Sequence, residues 1–242
     1  MRIMVCGKGG AGKSAVTILM ARALGRRGPV YILDSDESNR LLSGLLGTIK
    51  PDTISNYLGG RGNLSTGLKD VERFSFDELP SKYISYSPEG IGLALVGKIE
   101  EYGEGCACPY GLLSKVLLKK LELADDATVI VDAEAGVEHL GRGVEEGIDI
   151  IVVIVDPTAE GVAIASLLRK ESDRIGKPLY VILNKVTPEI ASIMRENLKE
   201  QGLSASTEVS LDPEIFNSGL QGGMLKAGIA QRQVSDFVSA QL

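Results

Sequence analysis

The eight residues Gly7–Ser14, with the sequence GKGGAGKS, have the composition and spacing of a loop that binds phosphate groups. They match the pattern G-x-x-x-x-G-K-[ST], in which glycines let backbone N–H groups surround phosphate oxygens. In this chemistry Lys13 contacts the β- and γ-phosphates, and the hydroxyl of Ser14 is a ligand of Mg²⁺. We predict that the nucleotide contacts Gly9, Gly10, Ala11, Gly12, Lys13, Ser14 and Ala15.

Two other segments place carboxylates directly after apolar runs. Val129–Val131 leads into Asp132, which we predict to accept hydrogen bonds from the water ligands of Mg²⁺. Val30–Leu33 leads into Asp34 and Asp36, and a carboxylate in that position can orient an attacking water or reach Mg²⁺ through water. The alternative for these two aspartates is that they cap the helix that follows.

Asn184 and Lys185 follow a further apolar run, where an asparagine amide can pair with adenine. The pattern that reads guanine, Asn-Lys-x-Asp, is incomplete because Thr187 occupies its fourth position. Without that carboxylate nothing accounts for recognition of the guanine N1–H and exocyclic amine. We therefore expect ATP or ADP, bound together with Mg²⁺, and assign both residues to the nucleotide site.

Cys106 and Cys108 are separated by a single residue and are followed by Pro109. A disulfide between such close cysteines would be strained, and we expect Pro109 to end regular structure and leave the pair in an exposed loop. Two thiolates are half of a tetrahedral four-sulfur site, which suits Zn²⁺, a Ni²⁺ cargo or an iron–sulfur cluster. The alternative is a pair of thiols on a partly buried loop with no metal role.

The strands and helices that position these residues can be predicted from the sequence, because apolar runs alternate along it with helical patterns. Continuous apolarity, as in Ile150–Val155 and Leu179–Leu183, indicates strands covered on both faces. We predict an α/β fold with a doubly wound, mostly parallel sheet flanked by helices, and a ligand site at the carboxyl ends of the strands. Residues 1–242 are interpreted as one domain, elaborated between about residues 51 and 110 and carrying the Cys-x-Cys loop there. Helices are predicted over Leu112–Leu123, Glu160–Ile175 and Pro188–Gln201.

The composition argues against several other classes of function. The formal charge of −6 provides no general basic surface, so we expect no nucleic-acid partner. No apolar stretch approaches the roughly 20 residues of a membrane span, and we expect no membrane partner. Three cysteines without an even framework, and a first strand that starts near Met1, lead us to expect a cytoplasmic protein.

The additional lysine in the phosphate loop, Lys8, resembles the signature of the deviant Walker A P-loop NTPases, the group of MinD, ParA and the nitrogenase iron protein. The resemblance implies a homodimer in which Lys8 of each chain reaches the nucleotide of the other. It implies that Asp36 is the switch aspartate that positions water and that the loop around Asp212 borders the base. For Asp212, helix capping is the alternative.

Taken together, the loop lysine and the cysteine pair resemble the CooC-type ATPases, which serve nickel insertion into carbon monoxide dehydrogenase and related enzymes. The segment Asp132–Leu140 and the Asn184–Val186 run also fit this group, and the resemblance covers nearly the whole chain. It implies ATP hydrolysis, with Lys8, Lys13 and Asp36 as the catalytic residues. It also implies a Ni²⁺ or Zn²⁺ ion that bridges the dimer through Cys106 and Cys108 of both chains, and a nickel enzyme as the client.

Two alternatives stay open at the level of sequence. An electron-transfer ATPase like the nitrogenase iron protein would also bridge a dimer with a cluster, but that group takes its two cysteines from separate loops. A positioning ATPase of the MinD or ParA kind would need a membrane-binding helix or a basic surface for DNA. The C-terminal segment Gln231–Leu242 has too few basic residues for a lipid anchor.

Overall fold

The computed structural model describes residues 1–68, 71–99, 108–133 and 147–242. Its strands form one sheet in the order β3-β4-β2-β5-β1-β6-β7-β8, parallel throughout except that β3 runs antiparallel to β4 at one edge. The predicted doubly wound, mostly parallel sheet is therefore confirmed. The strands are β1 (Arg2–Cys6), β2 (Val30–Asp34), β3 (Ser85–Tyr86), β4 (Gly92–Leu95), β5 (Thr128–Asp132), β6 (Ile150–Val155), β7 (Leu179–Val186) and β8 (Thr207–Ser210).

Helices cover both faces of this sheet. Within the described residues they are α1 (Lys13–Leu24), α2 (Leu42–Leu46), α3 (Ile54–Tyr57), α4 (Leu64–Gly67), α5 (Cys108–Lys120), α6 (Ala159–Ile175), α7 (Pro188–Glu200), α8 (Pro213–Gln221) and α9 (Ile229–Gln241). None of the helices in this described part is both long enough and apolar enough to cross a membrane.

Two hydrophobic cores lie on opposite faces of the sheet, and strand β1 contributes to both. Ile3 and Val5 pack in the core that contains α1 and α9, whereas Met4 and Cys6 pack in the core that contains α5 and α6. Side chains alternate between the faces of a strand, so both sets must be apolar when both faces are covered. This double burial is the reason that the strands read as continuous apolar runs.

Helix α5 is where the sequence-based expectation was wrong. We expected Pro109 to end regular structure and the helix to start at Leu112, but α5 starts at Cys108 and ends at Lys120. Proline is well tolerated in the first turn of a helix because the N–H that it lacks has no partner there. Pro109 therefore opens this helix, and Cys108 lies at its first residue.

Candidate active site

The phosphate loop joins β1 to α1 in a conformation that depends on its glycines. Gly12, directly before α1, has a φ of 97°, in the left-handed region that favours glycine. A side chain there would also collide with the amide of Asn184, and a side chain at Gly7 would collide with the carbonyl of Ile154. The backbone can therefore approach β6 and β7 closely, and the N-terminus of α1 is directed toward the place predicted for phosphate.

Lys13 and Ser14, the first two residues of α1, are held at the carboxyl ends of the central strands. The Ser14 hydroxyl donates to Oδ2 of Asp132 at 2.7 Å, and the Lys13 ammonium donates to the carbonyl oxygen of Lys8 at 3.4 Å. Lys13 is 7% exposed and Asp132 is fully buried. Three predicted residues from the loop and from β5 therefore converge on one location.

The geometry of Asp132 fits a magnesium site. Its Oδ1 is buried and has no hydrogen-bond partner among the described residues, although a buried carboxylate oxygen normally has one. Burial raises the pKa of Asp132 to about 6. The hydrogen bond from Ser14 and the nearby charge of Lys13 act in the opposite direction and lower this pKa, but burial has the larger effect. A hard divalent cation that prefers oxygen ligands, with its waters, would satisfy this oxygen and favour the charged carboxylate.

Asp36 lies on the loop after β2 and is held there by local hydrogen bonds. Its Oδ1 accepts from the hydroxyl of Ser38 at 2.6 Å and from the backbone N–H groups of Ser38 and Asn39 at 2.9 and 3.2 Å. These bonds close a turn directly after Asp36, whereas the next helix, α2, starts at Leu42 and has no side-chain cap, so the helix-capping alternative is wrong for Asp36. Asp36 also lies close enough to Asp132 for its charge to help raise the pKa of Asp132. Its role toward water stays a prediction.

Asp34 has a different environment from Asp36, although only one residue separates them. It is buried beside β5, and its Oδ2 accepts from the ammonium of Lys98 at 2.6 Å. Burial raises the pKa of Asp34 to about 7, opposed by Lys98 and reinforced by Asp132. Asp34 is thus a buried structural carboxylate behind the site.

Lys8 is bound within its own chain by groups that follow β6. Its ammonium lies 3.3 Å from Oδ2 of Asp156, 3.3 Å from the hydroxyl of Thr158 and 3.4 Å from a carboxylate oxygen of Glu160. The hydrogen bond to Asp156 is the main reason that the pKa of Lys8 is raised. Reaching another chain's nucleotide would require Lys8 to exchange these partners.

The three residues predicted to bind the base, Asn184, Lys185 and Asp212, form hydrogen bonds with backbone groups of their own chain. The amide of Asn184 donates to the carbonyl of Ala11 at 2.8 Å, and the ammonium of Lys185 donates to the carbonyl of Gly10 at 2.6 Å. Asp212 caps α8 by accepting from the N–H of Glu214, and its carboxylate also accepts from the N–H groups of Gly228 and Ala230 at the start of α9. Contact of these three residues with a base therefore stays a prediction, and their observed bonds support the loop and α8.

A cavity of about 680 Å³ runs from the phosphate loop toward α8. Its volume is typical of sites for small organic ligands. Its polar end includes Lys13, Ser14, Asp36 and Asn184; its other end is largely apolar and is lined by Leu41, Leu45, Leu211, Ile215, Phe216, Leu220 and Leu225. A triphosphate at the polar end would leave the apolar end for the base and sugar.

The cysteines are placed unequally. Cys6 is buried in β1, and burial raises the pKa of its thiol to about 12, as expected for a cysteine that packs as a small hydrophobic residue. Cys108 is exposed at the start of α5. Cys106 and the segment 134–140 that follows Asp132 lie outside the described residues.

Three residues at this face were missed by sequence reasoning. Asn39 donates to the Ser14 hydroxyl at 2.9 Å and to Asp132 at 3.3 Å, Asp156 binds Lys8, and Lys98 binds Asp34. Asp156 comes directly after β6, so the rule that singled out Asp132 would have found it. Asn39 and Lys98 lie in loops after β2 and β4 and carry no comparable signal.

These features define an α/β nucleotide-binding protein of the P-loop class. The chain belongs to the CobQ/CobB/MinD/ParA nucleotide binding domain family, whose model matches residues 3–223. It is an ATP-binding member of this group, and binding of ATP or ADP with Mg²⁺ is consistent with that membership.

Comparison with known proteins gives both sequence and structural relatives. The chain is 41% identical, over 96% of both chains, to an uncharacterised ATP-binding protein of Methanocaldococcus jannaschii. It is 31% identical, over 78% of its own length and 76% of the relative's, to the carbon monoxide dehydrogenase accessory protein CooC of Rhodospirillum rubrum. MinD of Pyrococcus horikoshii in complex with Mg-ADP superposes with a TM-score of 0.70 at 17% identity, covering 98% of this chain and 93% of that one.

Proposed function

We propose that this protein is an ATPase that matures a nickel enzyme such as carbon monoxide dehydrogenase. ATP favours a dimer of two identical chains, and the dimer brings Cys106 and Cys108 of both chains together around one Ni²⁺ or Zn²⁺ ion. Hydrolysis reopens the dimer and releases the metal toward the client. The observation that carries the proposal is the exposed Cys108 at the start of α5, a helix that contacts Ser35 beside the predicted switch aspartate Asp36, in a chain 31% identical to CooC.

In this proposal, each step of hydrolysis is assigned to side chains of the chain itself. Lys13 and the N–H groups at the start of α1 stabilise negative charge on the transferred phosphoryl group. Asp36 orients the water that attacks the γ-phosphorus, and the bond to the β-phosphate oxygen breaks to yield ADP and phosphate. Asp132 and Ser14 would hold Mg²⁺, which when bound would neutralise phosphate charge. Lys8 of the partner subunit adds a second positive charge in the dimer.

Metal binding has its own physical requirement. Soft thiolates are suitable ligands for Zn²⁺ and for nickel as cargo, and a tetrahedral site built from sulfur alone needs four of them. Cys106 and Cys108 supply two sulfurs per chain, and the remaining cysteine, Cys6, is buried in β1 with a raised pKa. A four-sulfur site therefore requires two chains.

The test is metal binding by a variant that lacks both thiols. Cys106→Ser combined with Cys108→Ser should abolish tight Zn²⁺ and Ni²⁺ binding by the reduced protein while leaving ATP binding unchanged. Cys6→Ala is the matched control and should retain one metal ion per two chains in the presence of Mg-ATP. Unchanged metal stoichiometry in the double variant, measured by equilibrium dialysis and elemental analysis, would overturn the proposal.

A further inference from the structure

Lys98 is a buried lysine that binds the loop carrying Asp36. Its side chain is 4% exposed, and its ammonium donates to Oδ2 of Asp34 at 2.6 Å and to the backbone carbonyl of Asp36. The ammonium thus holds both ends of the three-residue stretch 34–36. Any displacement of Asp36 must be accommodated by Lys98.

Burying this charge is costly and must be offset by its partners. Removing an ammonium and a carboxylate from water costs more than packing apolar side chains of similar size, so a buried ion pair is a poor source of stability. What such a pair provides is a fixed relative position of the two segments that carry its charges. Lys98 therefore fixes the loop after β4 relative to the end of β2.

The same lysine is connected to α5 through its backbone. Its carbonyl accepts a hydrogen bond from the hydroxyl of Tyr110 at 3.2 Å, and Tyr110 is 6% exposed. The ring of Tyr110 packs so closely on Gly97 that a side chain at Gly97 would collide with it. Tyr110 is two residues from Cys108 in the first turn of α5. The first turn of α5 is therefore attached to Lys98, whose ammonium binds the carbonyl of Asp36.

A second contact joins α5 to the same stretch. The hydroxyls of Ser35 and Ser114 are 2.7 Å apart, and both residues are buried. Ser114 follows Tyr110 by four residues, so the two lie on the same face of the helix. This face of α5 is consequently fixed at two points, one on the 34–36 stretch and one on Lys98, which itself binds that stretch.

We propose that Lys98, Tyr110 and Ser114 are positioning residues that transmit the nucleotide-dependent position of Asp36 to Cys108. They move α5, and with it the thiol, as one body when Asp36 engages or releases the γ-phosphate. This inference rests on the proposed function for the purpose of the movement, since the thiol is taken to bind metal. The linkage itself is independent of metal and is tested without it.

The experiment measures the reactivity of the Cys108 thiol. In a Cys106→Ser background, iodoacetamide alkylation of Cys108 is followed by peptide mass spectrometry with ADP or with a non-hydrolysable ATP analogue. The metal-free protein is used at a concentration where sedimentation shows a monomer, so that dimerisation does not shield the thiol. We expect the alkylation rate to differ at least about threefold between the two nucleotides.

The linkage variant combines Tyr110→Phe with Ser114→Ala. It should lose the nucleotide dependence of alkylation while retaining ATP turnover within about twofold. The matched control combines Tyr180→Phe with Ser172→Ala, which removes a tyrosine and a serine hydroxyl whose partners lie elsewhere, on Gln241 and Lys177. This control should behave like the parent protein.

Two results would overturn the linkage: equal alkylation rates with both nucleotides in the parent protein, or an undiminished difference in the linkage variant. If the linkage variant unfolds at a lower temperature, Tyr110→Phe alone provides the same comparison with a smaller perturbation. A parent protein that shows the nucleotide-dependent rate but binds no metal would refute the proposed function and leave the linkage intact. The two failures are therefore distinguishable.

Discussion

The phosphate site follows the carboxyl end of β1 and the start of α5 contacts the loop after β4, yet the two are built in different ways. Lys13, Ser14 and Asp132 are held by a strand end and a helix start, and both Lys13 and Asp132 are buried. Cys108 lies exposed at the first residue of α5. One chain supplies Lys13, Ser14 and Asp132 of the predicted phosphate site, and only the Lys8 contact is expected from a second chain, whereas two thiols per chain provide only half of a four-sulfur site.

This difference explains how one chain could couple two chemistries. Lys13, Ser14 and Asp132 are already held in place within one chain, so we expect nucleotide to bind before a dimer forms. A site that is incomplete in one chain forms only when a second chain arrives, and proteins of this family commonly dimerise. In this account nucleotide binds first, the dimer forms next, and the four-sulfur metal site is assembled last.

Among the changes at the phosphate site, we expect Lys13→Ala to have the largest effect. The substitution removes the buried ammonium that we assign to the β- and γ-phosphates, and loss of one such preorganised donor typically lowers kcat by about 100-fold or more. We expect ATP turnover to fall by at least that factor, measured by phosphate release. Lys199→Ala, on the exposed surface of α7, is the control and should have no effect. Turnover within tenfold of the parent would refute the assigned role of Lys13.

The substitution Asp132→Asn should affect the stability of the protein and the function of the phosphate site in opposite directions. Burial raises the pKa of Asp132 to about 6 and that of Asp34 to about 7, so between about pH 4 and 7 the folded protein binds more protons than the unfolded chain. The free energy of unfolding of the nucleotide-free protein should therefore decrease as the pH rises through this range. Asp132→Asn removes the contribution of one buried charge, which amounts to at most about 3 kcal/mol at pH 8.

Thermal unfolding without nucleotide checks this expectation. Asp132→Asn should unfold at a higher temperature than the parent at pH 8 and at nearly the same temperature at pH 4, while losing Mg²⁺-dependent turnover. The exposed Asp125→Asn serves as the control. An Asp132→Asn variant that is less stable than the parent at pH 8 would show that the buried charge of Asp132 does not destabilise the metal-free protein.

Thr187, which occupies the fourth position of the Asn-Lys-x-Asp pattern, allows the smallest of the tests. Thr187 caps α7 by accepting from the N–H of Ile190, and Thr187→Asp keeps a capping oxygen while completing the Asn-Lys-x-Asp pattern. We expect its preference for ATP over GTP to decrease by less than about tenfold, because Asn184 and Lys185 remain bound to the phosphate loop. Competition binding with both nucleotides measures the ratio, and Thr187→Ser is the control. A preference that increases toward ATP would contradict the placement of the base here.

The parts of this site that the sequence predicted are those encoded locally. The phosphate loop and Asp132 are each defined by a strand and the residues immediately after it. Long-range contacts were not visible: the amide of Asn184 binds Ala11 across 173 positions, and Lys98 binds Asp34 across 64. Pro109 misled the prediction because the same residue ends a helix in one position and opens it in another.

Sedimentation of the reduced protein with Zn²⁺, combined with elemental analysis of each species, tests whether nucleotide assembles the metal site. With Mg-ATP the parent should sediment as a dimer that holds one zinc ion per two chains, and with ADP it should be a monomer with little bound zinc. Lys8→Ala should remain a monomer under both conditions. Tight binding of one zinc ion per monomer without ATP, or an ATP-bound dimer free of zinc, would contradict the proposed mechanism.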